Sequence, residues 1–286
     1  MTGWIPKFGQ RLFLLAALSL AGGLLGATLL RFAPGYGMDE RELDPRLSQA
    51  SREAIRNEHR LHSGLLYFYG TYVARAAHGD FGRPEWLHRP IADLLKERFP
   101  ITMRSVILGV LTAWAAALLV SLAALFFRGW FLDLAGTLAS GFLIALPGAV
   151  VALFAMYLRA PVFVAIGVVT FPKVFRYLRN MLNHAYEQPY ILAARARGIG
   201  QARLLLRHVL PLAAPPIAAL LGVSISMAFG AAIPIEALCD SPGIGQLAWL
   251  AALNRDLPLI MNLTLVVTIV TVAANSAADL LHERAQ

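Results

Sequence analysis

The chain has 286 residues, of which 58% are apolar and only 15% are charged. Soluble domains carry about 45–50% apolar and about 25% charged residues, so this composition excludes an ordinary water-soluble enzyme. The net charge of +8 does not indicate nucleic-acid binding, because no basic cluster is interleaved with aromatic residues. A single cysteine excludes a disulfide within the chain and a cysteine-based metal site.

Long runs without charged residues predict membrane-spanning helices. A helix that crosses about 30 Å of hydrocarbon needs roughly 17–25 apolar residues. The runs that reach this length are 12–30, 105–127, 134–158, 212–235 and 257–278. The first run is longer than the apolar region of a signal peptide, and no small-x-small cleavage site follows it, so we expect a retained anchor.

A shorter run, 160–172, predicts a sixth span only if its helix continues to about Asn180. Lys173, Arg176 and Arg179 would then lie at the level of the lipid headgroups, where long side chains can reach water. The alternative is a re-entrant or surface segment.

The distribution of positive charge predicts the orientation of these spans, because cytoplasmic loops collect Lys and Arg. The segment 173–208 contains seven Lys and Arg residues and a single acid, Glu187, which places it inside. The link Arg128–Asp133 then also lies inside, and residues 32–100 lie outside. We therefore expect an all-α membrane protein with six transmembrane helices, both termini in the cytoplasm, and a polar exterior segment between the first two helices.

The predicted organisation has three parts. Residues 1–31 form the N-terminus and the first span, residues 32–100 the exterior segment, and residues 101–286 the membrane core. Within the exterior segment the sequence predicts an amphipathic surface helix that ends at Pro100. The prediction rests on residues that recur at helical spacing, namely Ile91, Leu94, Leu95, Arg98 and Phe99.

Sequence signatures of enzymes and of metal sites are missing. The chain contains no phosphate-binding Gly-rich loop, no Gly-x-Ser-x-Gly and no His-Glu-x-x-His. His59 and His62, next to Glu58, have the spacing of two ligands on one helix face, but such pairs are more often surface residues. Ionisable groups inside the apolar runs are scarce, which argues against a proton-coupled carrier. We expect no catalytic residue, no cofactor and no metal ion, and an energy source on another protein.

The stretch 184–211 is the candidate functional segment. Pro189 suits the first turn of a helix, residues 189–197 favour helix, and Gly198 suits the left-handed position that ends one. A second helix, about 200–210, would lead into the fifth span.

Small side chains in the first of these helices allow the backbone of another protein to approach closely. They are Ala193, Ala194 and Ala196, and Arg195 and Arg197 add positive charge at the rim. By spacing alone, an ordinary basic loop that only sets the orientation is an alternative.

The same segment resembles the cytoplasmic loop of ABC-importer permeases, in which Glu-Ala-Ala, three residues, Gly and nine residues precede Ile-x-Leu-Pro. Leu192 and His208 stand where the family has its Glu and its Ile. The run Ala194–Gly198 is similar to the Ala-Arg-Ala-Lys-Gly of the dipeptide/oligopeptide branch. The residues that match the family pattern are Ala193, Ala194, Gly198, Leu210 and Pro211.

Further motifs of that branch follow in order along the chain. They are Leu30–Gly35, Gly79–Arg83, Ile235–Leu238 with Ser241–Gly245, and Arg255–Pro258. Two stretches depart from the family pattern, the exterior residues 36–62 and the short link Arg159–Pro161. Both lie on the side where a solute-delivery protein would dock, which leaves the solute open.

The resemblance implies a permease subunit in the bacterial inner membrane, without ATPase activity of its own, that forms half of a pathway for peptides or similar small solutes. The implied partners are a second permease subunit of related sequence, cytoplasmic ATPase subunits, an extracytoplasmic solute-binding protein and the lipid bilayer. Residues 184–211 would be the coupling segment, which contacts the ATPase through Ala193, Ala194, Arg195, Arg197, Gly198, Leu210 and Pro211.

The turn 236–256 is predicted to bend back toward the membrane, because Pro242, Gly243 and Gly245 interrupt regular structure between two spans. Together with Glu236 these residues form a candidate outer gate. Glu236, Asp240 and Asn254 are expected to face polar surroundings. A surface loop against the binding protein is the alternative.

Two other functions are compatible with the residues. An exporter, or a variant for nickel or antimicrobial peptides, would share the architecture. A non-transport membrane scaffold is a third possibility, against which the Ala-Ala-x-x-x-Gly pattern argues. Polar groups within the predicted spans are expected to form helix–helix hydrogen bonds more often than substrate contacts; they are Ser224, Ser226, Thr264, Thr268 and Asn275.

Overall fold

The structure, a computed structural model, describes residues 89–127, 130–254 and 256–284 and isolated positions among residues 17–28 and 70–87. Most of the first predicted span and the exterior residues 36–62 lie outside the described residues. The predictions made for them stay predictions.

All regular structure in the described residues is helical, which confirms the α class. In chain order the helices are α1 (Ile91–Phe127), α2 (Trp130–Ala145), α3 (Gly148–Tyr157), α4 (Val162–Tyr186), α5 (Pro189–Ala196), α6 (Gln201–Leu204), a π-helical turn (Leu205–Val209), α7 (Leu210–Leu238), α8 (Ile244–Leu253) and α9 (Leu257–Arg284).

Three helical stretches among the described residues are long and apolar enough to cross a membrane. They are Ile91–Phe127, Gln201–Leu238 and Pro258–Ala277, and the bent pair α2 and α3 makes a fourth if it counts as one span. Helix α4 is not among them, because three basic residues interrupt its apolar sequence. The described residues therefore form an α-helical membrane protein, and the six-span topology with cytoplasmic termini stays a prediction.

The apolar run 134–158, predicted to be one span, is broken in the middle. Helices α2 and α3 meet at an angle of 99°. Pro147 lies at the break, with φ −58° and ψ 138°. It has no N–H to donate to an earlier carbonyl, and its ring disfavours helical backbone at Leu146. The run forms two short helices, either a broken span or a re-entrant loop.

The predicted surface helix 91–99 is the first part of α1. Ile91 and Leu94 are buried while the acidic residues near them are exposed, so the amphipathic pattern is confirmed. Its predicted end at Pro100 is wrong, because α1 continues to Phe127. A proline inside a helix removes one backbone hydrogen bond, and the long apolar stretch that follows retains the others.

The described residues divide into two compact units. One draws on Met1–Glu97 and Leu250–Ile269, and the other on Arg98–Trp249 and Val270–Gln286. In this second unit α4 packs against α7, α2 and α3. Many of its largest fully buried side chains belong to α4 and α7, and they include Phe175, Leu178, Leu182, Phe229 and Ile235.

In the first unit, two buried polar residues hold the start of α9. Asp256 caps the helix, because its Oδ1 accepts the N–H of Leu259 at 3.0 Å. Asn262 donates from Nδ2 to the carbonyl oxygen of Phe81 at 3.0 Å. The Arg-Asp-Leu-Pro motif seen in the sequence thus contains the cap of the last described helix.

Candidate functional site

Helix α5 begins as the sequence predicts. Pro189 occupies the first helical position after Gln188, whose backbone is extended (φ −63°, ψ 140°). Proline fits there because the N–H groups of the first turn have no helical partner. The side chain of Gln188 donates from Nε2 to the carbonyl oxygen of His184 at 3.3 Å, which ties the start of α5 to the end of α4.

Gly198 ends α5 in a Schellman motif. Its φ is +81°, in the left-handed region. Its N–H donates to the carbonyl oxygen of Arg195 at 3.0 Å, and the N–H of Ile199 donates to that of Ala194 at 3.4 Å. Apart from Gly198 and its two chain neighbours, no atom of the described residues lies within 4 Å of the position that a Cβ would take. Backbone conformation, not space, therefore favours glycine here, and the predicted left-handed helix end is confirmed.

The two faces of α5 have different environments. Ile191 and Ala194 are 1% and 8% exposed and belong to the core of the second unit. Ala194 is therefore covered by this chain itself, although it belongs to the motif expected to contact a partner. The opposite face is exposed and consists of Pro189, Tyr190, Leu192, Ala193, Arg195, Ala196 and Arg197.

Gln201 joins the start of α6, just after α5, to the ends of α1 and α4. Its Nε2 donates to the carbonyl oxygen of Leu125 at 3.0 Å and to the hydroxyl of Tyr186 at 3.0 Å. Leu125 lies near the end of α1 and Tyr186 at the end of α4. The ends of α1 and α4 and the start of α6 are thus connected around one side chain.

The predicted helix 200–210 contains a π-helical turn, Leu205–Val209, in which the N–H of Leu210 donates to the carbonyl five residues earlier. Pro211 accounts for the turn, because it offers no N–H to the carbonyl of Arg207 and its ring clashes with that carbonyl. Leu210 is half-buried and Pro211 is exposed.

A second candidate region is the Glu236 cluster, defined as Thr102, Glu236, Gly243, Ile244 and Gly245. Glu236 is fully buried in the last turns of α7. Its Oε2 accepts the hydroxyl of Thr102 at 2.9 Å and the N–H of Gly245 at 2.8 Å. The Thr102 oxygen also accepts the N–H of Ile244 at 2.8 Å. One carboxyl group therefore connects α1, α7 and α8.

The second oxygen of this carboxyl group, Glu236 Oε1, is buried and makes no hydrogen bond to the described residues. A buried polar atom without a partner costs about 1–3 kcal/mol. An acidic side chain at this depth of an apolar helix is costly, and such residues in membrane proteins usually have a function.

Two glycines are required by close packing around Glu236. A Cβ on Gly243 would lie 2.2 Å from Glu236 Oε2, and a Cβ on Gly245 would lie 2.6 Å from the Cα of Ile233. Gly245 does not interrupt regular structure as predicted, because it lies in the first turn of α8. The lack of a side chain there serves the close approach of α7 and α8. Pro242, in the preceding turn, is exposed.

The polar residues expected near this turn differ in environment. Among the described residues, the polar partners of Glu236 are the hydroxyl of Thr102 and the N–H of Gly245. Asp240 is exposed, has a φ of +50°, and accepts a hydrogen bond from the side chain of Gln246. Asn254 is exposed and donates from Nδ2 to the carbonyl oxygen of Leu250 at 2.8 Å.

Comparison with protein families identifies the chain. Residues 105–285 match the family described as binding-protein-dependent transport system inner membrane component. The match covers more than half of the chain and includes α5 and the residues of the Glu236 cluster that lie beyond Thr102. The chain belongs to this family.

Individual relatives agree with that assignment. The oligopeptide transport system permease protein AppB of Bacillus subtilis (strain 168) is 26% identical over 91% of this chain and 92% of its own length. OppB of Escherichia coli (strain K12), with the same description, is 28% identical over 89% of each chain. A putative peptide permease protein of Brucella suis biovar 1 (strain 1330) is 26% identical over 96% of this chain and 95% of its own. The resemblance to permeases of the dipeptide/oligopeptide branch of ABC importers is confirmed.

An ion pair in this permease was not predicted. Nε and Nη2 of Arg179 donate to the two carboxylate oxygens of Asp133, and the side chains are 29% and 35% exposed. The pair joins the start of α2 to α4, across 46 residues of sequence. The sequence contained a signal for this pair, because Asp133 and Arg179 have opposite charges and lie on segments assigned to the same side of the membrane.

Of the five polar residues predicted to bond between helices, Ser224, Ser226 and Asn275 do so, whereas the hydroxyl of Thr268 donates to the carbonyl oxygen of Thr264 in its own helix. Ser224 accepts the indole N–H of Trp114 at 2.9 Å, which joins α7 to α1. Ser226 donates to Asn275 Oδ1 at 3.1 Å, which joins α7 to α9. The expectation that such residues bond between helices is confirmed for these side chains.

In the part of the chain that the structure describes, no group of three or more His, Cys, Asp or Glu residues could hold a metal ion. His59 and His62 lie outside the described residues. The sequence-based expectation that they are surface residues therefore stays a prediction.

Proposed function

We propose that this permease is a subunit of an ATP-driven importer for peptides or similar small solutes in the bacterial inner membrane, and that it forms half of the translocation pathway. The similarity to oligopeptide transport system permease proteins supports the solute class. The observation that carries the mechanism is α5, a helix with one buried and one exposed face. Its exposed face is the docking surface for a cytoplasmic ATPase subunit, which hydrolyses the ATP.

The composition of this surface suits a partner groove. Ala193 and Ala196 are small and exposed, so a partner backbone can approach closely. Leu192, which replaces the family's Glu, is 52% exposed and adds apolar contact area. Arg195 and Arg197 offer charge-assisted hydrogen bonds to acidic groups at the rim of the groove.

The contacts around α5 suit a helix that passes a movement of the ATPase on to the spans, rather than a flexible loop that would not transmit it. Ile191 and Ala194 anchor α5 in the core, and Gln201 links α6 to the ends of α1 and α4. When the ATPase closes on nucleotide, a push on α5 moves these helix ends together. Such rigid-body transmission requires an element with two discrete arrangements, both biased by nucleotide.

The same contacts support the predicted orientation. The Arg179–Asp133 pair and the bond from Gln201 to Leu125 bring the end of α1, the start of α2 and the coupling segment to one end of the second unit. The distribution of positive charge assigns these segments to the cytoplasmic side. Thr102 of the Glu236 cluster lies about 35 Å away from Leu125 along α1. The Glu236 cluster is then on the outer side.

The Glu236 cluster suits an outer gate, together with Pro242. One carboxyl group holds α1, α7 and α8 together, and the glycines leave no free space around it. A change in the angle between α7 and α8 has to break or remake the bonds of Glu236. The cluster therefore acts as a latch that closes one side of the pathway, next to the solute-binding protein.

Substitutions on the exposed face of α5 test the docking proposal in proteoliposomes that contain the second permease and the ATPase subunits. We expect Ala193→Trp and Ala196→Trp to abolish co-purification of the ATPase and ATP-driven uptake, because the indole blocks the groove. The thermal stability of the isolated permease should not change, since both alanines are exposed. Ala139→Trp, at an exposed alanine of α2, is the matched control and should retain uptake.

Three outcomes contradict the proposal at different levels. Normal ATPase binding and uptake in both tryptophan variants contradict docking through α5. Solute movement in liposomes without any ATPase subunit contradicts an ATP-driven transporter. Release of solute to the outer side on addition of ATP replaces the importer with an exporter.

A further inference from the structure

Helix α4 carries a polar face in an otherwise apolar environment. The α4 polar face is defined as Lys173, Arg176, Tyr177, Asn180 and His184, all of which are exposed. Their spacing places them on one side of a helix. The other side packs into the core of the second unit through buried residues, namely Val174, Phe175, Leu178, Leu182 and Ala185.

The position of this face along α4 disfavours contact with lipid. Val162–Pro172 contains no charged residue, and Arg159, just before the helix, is exposed. Lys173 lies eleven residues after Val162 in a helix of 25 residues that continues to Tyr186. If α4 crosses the membrane from Val162, Lys173 is about 16 Å along the axis, about half of a 30 Å hydrocarbon layer and deeper than the headgroup level expected from the sequence. A lipid-facing Lys or Arg at that depth costs roughly 2.5–3.5 kcal/mol. If α4 crosses the membrane, its polar face borders water or protein.

A groove continues the α4 polar face toward the coupling segment. Its volume is about 410 Å³, and it lies between α4 and α7. Asn180, His184 and Gln188 line it from the polar side, and Leu212 and Pro216 line it from α7. Ligand sites commonly enclose about 300–1,000 Å³ with a few polar groups in an apolar wall. The groove is open on one side, and its volume lies within this range.

The charge of this surface is positive. Lys173 and Arg176 stand at its start, and the residues that line the groove include no acid. Glu187, the acid that follows α4, lines a separate pocket with Asp133 and Arg179. A cationic wall of low dielectric concentrates anions next to it.

We propose that the α4 polar face lines the aqueous translocation pathway and that Lys173 and Arg176 select solutes with a free carboxylate, such as the C-terminal end of a peptide. The inference rests on the proposed function and adds the residues that determine specificity. The neutral groups Tyr177, Asn180 and His184 then supply hydrogen bonds along the path to the groove.

Thiol labelling of the assembled transporter in inside-out membrane vesicles tests this proposal. The single cysteine, Cys239, is replaced by Ser, and Asn180→Cys or Tyr177→Cys introduces the probe site. Leu138→Cys, at an exposed apolar position of α2, is the matched control. The anionic probe is sulfonatoethyl methanethiosulfonate, and the cationic probe is trimethylammonioethyl methanethiosulfonate. The labelling rate of each probe is divided by its rate of reaction with a free thiol in solution.

We expect both cysteines on α4 to react and Leu138→Cys to remain unmodified. At Asn180→Cys the normalised rate of the anionic probe should exceed that of the cationic probe about tenfold. Adding Lys173→Gln should reduce this ratio by at least half, and Lys173→Arg should retain it. A merely structural role of Lys173 would not change the charge preference of a probe.

Two results overturn the proposal. Protection of both α4 cysteines in the assembled transporter shows that the face is packed against another subunit. Labelling with equal rates for both probes, or a ratio that Lys173→Gln does not change, shows that the cations do not select charge. The labelling rates do not depend on transport. Charge-selective labelling in a complex that shows no ATP-driven uptake would therefore contradict the proposed function. It would still support a water-exposed, positively charged face on α4.

Discussion

The coupling segment and the Glu236 cluster are built in opposite ways. Helix α5 rests on two buried anchors, Ile191 and Ala194, and exposes the rest of its surface. In the Glu236 cluster every member is buried, and the carboxyl group of Glu236, on α7, accepts hydrogen bonds from α1 and α8. Side chains on an exposed surface can be substituted without loss of folding, whereas side chains in a closely packed cluster cannot. Substitutions should therefore separate function from stability in α5 and affect both in the cluster.

The largest effect is expected from Glu236→Ala. Removing the carboxyl group leaves the N–H of Gly245 and the hydroxyl of Thr102 without their acceptor, at about 1–3 kcal/mol for each buried group, and it adds a cavity. We expect a loss of about 2–5 kcal/mol in stability, measured by thermal denaturation of the transporter in nanodiscs. Glu236→Gln is the control, because its amide oxygen can still accept from both donors. Equal stability of the alanine variant and the unmodified protein would show that Glu236 does not hold the three helices together.

The next largest effect is expected from Gly245→Ala. Its Cβ would meet the backbone of Ile233 at 2.6 Å, and backbone cannot move as a flexible side chain can. Overpacking of this kind costs about 1–3 kcal/mol. Gly230→Ala is the matched control on α7, because its Cβ would meet no atom within 4 Å. The thermal denaturation midpoints of the two variants are compared, and that of Gly245→Ala should be the lower. Similar midpoints would contradict the close packing of α7 and α8.

A smaller loss of stability but a large loss of function is expected from Gly198→Val. A left-handed conformation costs a residue with a side chain about 1–2 kcal/mol, and a β-branched residue is disfavoured most. The strained end of α5 should uncouple ATP hydrolysis from uptake, measured as solute transported per ATP. Gly198→Asn should be milder, since Asn tolerates this conformation. Unchanged uptake and assembly in the valine variant would remove Gly198 from the coupling mechanism.

The smallest effect is expected from the ion pair near the coupling segment. Asp133 and Arg179 are about one-third exposed, and pairs accessible to solvent contribute about 0.2–1 kcal/mol. We expect Asp133→Asn and Arg179→Gln to lower stability by that amount each. In a double-mutant cycle, the combined variant should lose less than the sum of the two. Strict additivity would indicate that the two side chains do not interact in the membrane.

Signals close together in sequence predicted the coupling segment. Pro189 and Gly198 act on their own backbone conformations, so the start and end of α5 follow from residue type and position. The apolar runs likewise predicted most of the described helices, because hydropathy measures a property of the segment alone. The covered face of α5 was not predicted, since Ala193 and Ala194 look alike until the core of the second unit is present.

Prolines show where reasoning from sequence alone fails. Pro100 and Pro172 lie inside continuous helices, whereas Pro147 separates α2 from α3 at 99°. The local cost is the same in each case, the loss of one N–H donor and a clash with an earlier carbonyl. Which proline bends the chain depends on whether neighbouring helices compensate for that cost, and this information is not local.

By itself the sequence determined that the chain lies in a membrane, that it belongs to the permease family, and where α5 begins and ends. Hydropathy, charge and helix capping depend on residues that are close together in sequence, so they can be recognised from the sequence alone. Only the tertiary structure decided that Glu236 is bound by Thr102, 134 residues away, and that Arg179 is paired with Asp133. These contacts depend on how helices pack, because groups distant in sequence have to meet before they can form a bond.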